Sequence, residues 1–140
     1  MAVVVGYDES PGADSALDAA ISVAARFSEG LVLVYGAGPP GGVGEEFKAH
    51  RDALRDLGRT ALSHALERAQ AAGVDTTVEV VDAKPAEALV QAAEWHDGTM
   101  IVVGTSGESP LRGAILGSTP HKLLHLSHLP VLCVPVPAKG

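Results

Sequence analysis

The chain has little of four things, and each shortage excludes something. It holds one cysteine, Cys133, in 140 residues. No internal disulfide can form, and a reducing compartment, the cytoplasm, is the expectation. It lacks positive charge: ten Lys and Arg face seventeen Asp and Glu, a net charge of -7. Duplex nucleic acid and anionic membranes both reward Lys and Arg, so neither is expected as the main partner. Aromatic residues are 4% of the chain, namely Trp95, Tyr7, Tyr35, Phe27 and Phe47. That is too few for a stacking platform on single-stranded nucleic acid. No apolar run approaches the roughly 20 residues of a membrane span. The opening residues Met1 to Asp8 lack a basic flank and reach an acid within eight residues, which predicts no secretory signal.

What is present is regular. A length of 140 residues fits one domain, residues 1–140. Five short apolar runs, 2–7, 31–35, 76–81, 99–103 and 130–136, alternate with helical patterns. Ser10-Pro11 reads as an N-cap and first helical position. Ala16, Leu17, Ala20, Ile21, Ala24 and Phe27 follow at helical spacing, with Gly30 placed to end that helix. A Gly/Pro-rich loop spans 36–44. A long helix then runs from about Glu45 to Ala72, with a stripe of Leu54, Leu57, Ala61, Leu62, Ala65, Leu66 and Ala69, and Gly73 as its stop. Pro85 opens a third helix, and Ser118 is placed to cap a fourth from Thr119. Strand and helix alternate throughout, which predicts an α/β domain: an open parallel sheet with helices on both faces. The nearly continuous apolar strands agree, since doubly covered strands do not alternate. Ligands bind such sheets beyond the carboxyl ends of the strands, where strand order reverses.

Two strand ends carry unusual residues. The first is Gly6-Tyr7-Asp8-Glu9-Ser10. The second is Gly104-Thr105-Ser106-Gly107, followed after nine residues by Gly117-Ser118-Thr119. Glycine at 104 and 107 lets backbone approach a ligand. Gly117-Ser118 stands where a helix begins, so free N–H groups and the helix dipole favour an anion there, phosphate first among them. The hydroxyls of Ser118 and Thr119 add donors. Taken singly, each of these residues is an ordinary turn glycine or capping serine; their joint spacing carries the inference. A P-loop is excluded because no Lys precedes Ser118. A dinucleotide fingerprint is excluded by the glycine spacing, and a nucleophile elbow by Glu108.

The pattern Gly104-x2-Gly107-x9-Gly117-Ser118 resembles the nucleotide-binding signature of the universal stress protein family at every position. Val3 to Ser10 is similar to that family's first strand and Asp-x-Ser turn. Lys84-Pro85-Ala86-Glu87-Ala88-Leu89 resembles the entry to its third helix, and His128 to Val134 its closing Pro-Val strand. The resemblance implies a Rossmann-like five-stranded sheet of order 3-2-1-4-5, which sets Asp8 beside Gly104. It implies ATP as ligand, with Mg²⁺ on the phosphates. By position, Asp8 holds the adenine or ribose side, Tyr7 and Gly36 line the adenine pocket, and Val103 and Gly104 approach the ribose and first phosphate. Gly107, Gly117, Ser118 and Thr119 hold phosphates. Apart from the resemblance, a guanidinium suits phosphate geometry, which makes Arg112 in the same loop a candidate phosphate contact, with a solvated loop cation as the alternative. The chain departs from the family at Glu9 and Ala83, where glycine is frequent, and at Gly98-Thr99, where an Asp is frequent.

Two further signals are weaker. His121, His125 and His128 fall at i, i+4 and i+7, but structural zinc wants four ligands and no HExxH is present. Metal is therefore not expected; Leu123, Leu124 and Leu126 are expected to form the helix's apolar side. Ser10 to Ser15 approaches the loop of AMP-forming ATP pyrophosphatases, but Pro11 supplies no N–H where a phosphate needs one. Strand 130–136 is apolar and would lie at a sheet edge, inviting a second copy, and the family resemblance likewise implies a homodimer through it. Pro135 and Pro137 remove donors from one side of it only. The resulting expectation is an ATP-binding stress-response module with slow hydrolysis at most and no assigned catalytic residue. A nucleotide hydrolase or AMP-forming enzyme, and a dimeric interaction protein with a vestigial site, stand as alternatives.

Overall fold

The computed structural model describes residues 1–38, 45–105 and 116–137, and the backbone but not the side chains of 45 and 46. In chain order its elements are β1 (Ala2–Gly6), α1 (Pro11–Phe27), β2 (Gly30–Gly36), α2 (Glu45–Ala71) and β3 (Thr76–Val81). Then come α3 (Pro85–Trp95), β4 (Gly98–Gly104), α4 (Ser118–Leu126) and β5 (Val131–Val134). The sheet order is β3-β2-β1-β4-β5, and every pair is parallel. Strand order reverses between β1 and β4, as the family resemblance implied.

Alternation along the strands makes two apolar layers. Val3 and Val5 of β1 and Tyr7 just after it, with Leu31 and Leu33 of β2, pack on Ala16, Leu17 and Ala20 of α1 and on Ala61, Leu62 and Ala65 of α2. Val4, Val32 and Val34 face the other way, onto Leu89 and Ala92 of α3 and Leu123 of α4. Both faces are covered, which is why the strands read as unbroken apolar runs. Burying each Val or Leu of this kind contributes about 1.5–3 kcal/mol.

Helix α1 begins as expected. Ser10 is the N-cap, its Oγ accepts the Ala13 N–H at 3.2 Å, and Pro11 follows. Its end differs. Ser28, not Gly30, takes the left-handed position, at φ 54°. Gly30 is instead the first residue of β2, paired with Ala2. Gly73 does stop α2, at φ 79°.

Helix α2 is 27 residues long, about 40 Å at 1.5 Å per residue. The strands beneath it hold 5 to 7 residues, so the helix overhangs the sheet. Leu57, expected in the buried stripe, is exposed, because its neighbour Gly58 takes the inward position against the Tyr35 ring. The apolar side expected of α4 is also narrower: Leu123 is buried, whereas Leu124 and Leu126 are exposed. This helix flanks the end of the sheet, and no further element covers its outer face among the described residues.

Strand β5 is shorter than the apolar run suggested. The N–H of Ile101 donates to Pro130 O and that of Thr105 to Val134 O. Even-numbered residues of β5 therefore turn their backbone groups toward β4, and odd-numbered ones turn theirs outward. Pro135 and Pro137 fall on the outward side. Among the residues of β5, only Val131 and Cys133 offer donors along the open edge.

Candidate functional site

The carboxyl ends of β1, β2 and β4 surround a cleft of about 220 Å³. Three helix N-termini converge on it. Ser10 and Ala13 come from the start of α1, Pro85 and Leu89 from α3, and Gly117, Ser118 and Thr119 from α4. Each helix start turns the positive end of its dipole toward the cleft, but at α1 the lining N–H groups of Ser10 and Ala13 are taken by Asp8 and Ser10, and Pro85 of α3 has none, so the free donors come from α4. In a chain of net charge -7, the described lining thus holds the positive ends of helix dipoles and no Lys or Arg.

Tyr7, Asp8, Gly36, Val103, Gly104, Gly117, Ser118 and Thr119, all singled out above, line this one cleft. Gly107 and Arg112 lie outside the described residues. The structure sharpens several of these positions. The Tyr7 ring belongs to the core on the α1 and α2 side, and its hydroxyl donates to Asp14 at 2.7 Å. Burial and the adjacent carboxylate push its pKa from 10.0 to about 12. The Tyr35 ring lies against α2, so close to Gly58 that a Cβ there would stand 2.5 Å from Cδ1. Both rings thus pack on the α2 side of the sheet.

Asp8 Oδ1 accepts the Ser10 N–H at 3.0 Å, an Asx turn that aims the start of α1. Its second oxygen has no partner among the described residues. Glu9 sits at φ 67°, in the left-handed region where glycine is favoured. Its carboxylate pairs with His64 Nδ1 on α2, a contact the sequence did not reveal.

Two glycines owe their identity to packing. A Cβ on Gly104 would meet Gly12 O at 2.6 Å and Gly12 Cα at 2.9 Å. The end of β4 and the first turn of α1 therefore meet backbone to backbone. The close approach expected at Gly104 is to Gly12, while its backbone lines the cleft. A Cβ on Gly36 would meet Ala83 O and Pro85 Cα, both at 2.8 Å. Alongside, the N–H of Ala37 donates to Val81 O and that of Gly38 to Ala83 O. The ends of β2 and β3 and the start of α3 are closed against one another there.

At α4 the N-cap is Gly117, and Ser118 is the first helical residue, one position from the capping role expected. The Gly117 N–H donates to Thr105 O at 2.8 Å, pinning the helix start to the end of β4. The donors left for a ligand are the N–H and hydroxyl groups of Ser118 and Thr119; Pro120 has no N–H. Lining residues outside the set predicted from the sequence are Gly6, Ser10, Ala13, Val34, Tyr35, Pro85, Leu89 and Pro120. The helix-opening signals Ser10-Pro11 and Pro85 could have located two of the three N-termini.

An open parallel sheet with helix N-termini gathered at its switch point defines a doubly wound α/β protein whose cleft suits an anionic ligand. The model of the Universal stress protein family matches residues 1–135, and the chain belongs to that family. It is 30% identical over 135 residues to universal stress protein MJ0531 of Methanocaldococcus jannaschii, covering 91% of this chain and 79% of that one. A solved universal stress protein family structure from Burkholderia pseudomallei is 31% identical, with a TM-score of 0.76 over 96% of this chain and 95% of the other. A universal stress protein solved in complex with cAMP is 29% identical, with a TM-score of 0.77 and 98% of both chains covered. No helix among the described residues is long and apolar enough to cross a membrane.

Proposed function

We propose that this chain is an adenine-nucleotide-binding regulatory module of the stress response, that its ligand is ATP, and that hydrolysis is slow where it occurs at all. The observation that carries this reading is the convergence of three helix N-termini on one cleft at the β1/β4 switch point. Membership of the family and the 29% identical relative bound to cAMP support an adenine nucleotide as the ligand class.

In this reading the base lies between the ends of β1 and β2, against aliphatic and backbone surface at Val34, Gly36 and Pro85. Asp8 and the backbone of Val103 and Gly104 face the ribose. Ser118 and Thr119 take the phosphates, with Gly107 and Gly117 as the remaining members of the signature and Arg112 as a further phosphate contact. Mg²⁺ would be held by phosphate oxygens and the Ser118 and Thr119 hydroxyls, where it supplies neutralising charge. Slow turnover is supported by the described lining. Asp8 is its one carboxylate, and half of that carboxylate is occupied by Ser10 N–H. The structure of the Ser10 to Ser15 segment, an N-cap and a first turn, favours this reading over an AMP-forming enzyme.

The same reading places the protein in the cytoplasm as a homodimer through the open β5 edge. The outward N–H groups of Val131 and Cys133 and the exposed Leu132 support that assembly.

The test is to denature the purified protein and resolve the released small molecules by ion exchange. Retained ATP is the expected result, and ADP or AMP instead marks an enzyme that turns it over. Calorimetry with Mg-ATP, AMP and cAMP then ranks the ligands. A protein that retains no nucleotide and gives no heat with any of them has a vestigial site, and the reading fails. Gly117→Val fills the start of α4 and is expected to abolish retention.

A further inference from the structure

We infer that His121 and His125 of α4 form a two-histidine chelate for a divalent transition ion such as Ni²⁺, Zn²⁺ or Cu²⁺. The two residues stand four apart on one helix, so their side chains share a face. Their rings touch, with centroids 5.5 Å apart and planes at 74°. An imidazole nitrogen binds Zn²⁺ at about 2.0–2.1 Å, and with the ring centre about 1.1 Å behind the nitrogen, each centroid stands about 3.2 Å from the ion. At a tetrahedral angle two such centroids are about 5.2 Å apart. The observed spacing matches this to a few tenths of an ångström, and rotation about the side-chain torsions of these two exposed residues is what turns a nitrogen of each ring onto one ion.

Both side chains are exposed, and neither ring is engaged in a hydrogen bond or ion pair among the described residues. Nothing has to be broken for an ion to bind: two nitrogen lone pairs displace two of its waters. His128 does not complete a third position. It lies beyond the helix end and lines a separate cleft with Glu94 and Asp97. No group of three His, Cys, Asp or Glu among the described residues is placed to hold a metal. The site is thus an open His₂ chelate with water in its remaining positions, and the ion order should follow the general series, with Cu²⁺ above Ni²⁺ and Zn²⁺. A clip across one turn also suits a helix of nine residues, since so short a helix is marginal without outside support.

The experiment is calorimetric titration of the tag-free protein with NiCl₂ in a non-chelating buffer. One Ni²⁺ per chain should bind at this pair. His121→Ala and His125→Ala should each weaken that binding about tenfold or more, because either leaves one imidazole where two were linked. His50→Ala, on α2, should leave it unchanged. Saturating Ni²⁺ should raise the unfolding temperature of the parent protein and not that of the double variant. In the parent protein, paramagnetic broadening of amide signals by Ni²⁺ should centre on residues 119–127, a readout that needs no variant. The proposal fails if no ion binds, if either alanine variant stays within about twofold of the parent, or if the broadening centres elsewhere.

Discussion

The hydroxyl of Tyr7 donates a 2.7 Å hydrogen bond to Asp14 Oδ1, and that same oxygen accepts from Arg68 Nη1 at 3.0 Å. The end of β1, the first turn of α1 and the C-terminal half of α2 therefore meet at one carboxylate. This is the support behind the strand end that lines the cleft.

The bond carries a pH signature. Tyr7 titrates in the folded protein at about 12, raised by burial and by the Asp14 carboxylate, whereas an unfolded tyrosine titrates near 10. The folded state holds this proton more tightly. Its contribution is complete below pH 10 and is lost as the pH rises toward 12. Allowing for screening at the half-exposed Asp14 and Arg68, the loss is about 1–2 kcal/mol. Urea unfolding at pH 8 to 12 should show this alkaline loss in the parent protein. Tyr7→Phe should be less stable at pH 8 by about 0.5–1.5 kcal/mol, and its disadvantage should shrink as the pH rises. A constant gap across the range would remove Tyr7 as the titrating group.

Ser28 closes α1 in the left-handed conformation at φ 54°, and its side chain is exposed and without a partner. A side chain in that conformation costs about 1–2 kcal/mol, part of which glycine returns as greater freedom in the unfolded chain. Ser28→Gly is therefore expected to stabilise the protein by about 0.5–1 kcal/mol. Thermal unfolding decides it, and a lower midpoint would mean that the serine makes a contact the structure does not contain.

The meeting of Gly104 with Gly12 gives the opposite sign. A methyl group on Gly104 would stand 2.6 Å from a backbone oxygen, which cannot rotate away. Either β4 or the first turn of α1 must move, at a cost of about 1–3 kcal/mol. Gly104→Ala should lower stability by that amount and weaken nucleotide binding with it, since both moving parts line the cleft. Full stability with lost binding would instead show that the glycine serves the ligand alone.

What was legible in the sequence was local. Ser10-Pro11, Pro85 and the five apolar runs report short-range geometry, and they located the elements to within a residue or two. The parallel sheet with two covered faces followed from their alternation. The strand order followed only from the resemblance to a family, since no period in a chain tells which strands are neighbours. The lining of the cleft was legible where spacing and chemistry coincided, at Asp8, at Gly104 and from Gly117 to Thr119. Contacts between distant segments were not legible. Nothing near Gly104 announces Gly12, and nothing near Glu9 announces His64. Leu57 and Leu124 fit their helical stripes but are exposed, because Gly58 holds the inward position beside Leu57 and the sheet ends beside α4.

Asp8 has two roles that one substitution cannot separate. Its Oδ1 holds the Ser10 N–H at 3.0 Å and so shapes the entry to α1, while the residue also lines the cleft. Asp8→Ala removes both and should lower stability as well as affinity. Asp8→Asn keeps an oxygen for the turn and removes the charge. It should hold stability within about 0.5 kcal/mol, as for a surface change that preserves its local bond. Nucleotide affinity should still fall by about 1–2 kcal/mol, the difference between a charge-assisted and a neutral hydrogen bond. Calorimetry with Mg-ATP beside thermal unfolding separates the two terms. An asparagine variant that binds as tightly as the parent would confine Asp8 to the turn and leave recognition to the backbone at Gly104 and the start of α4.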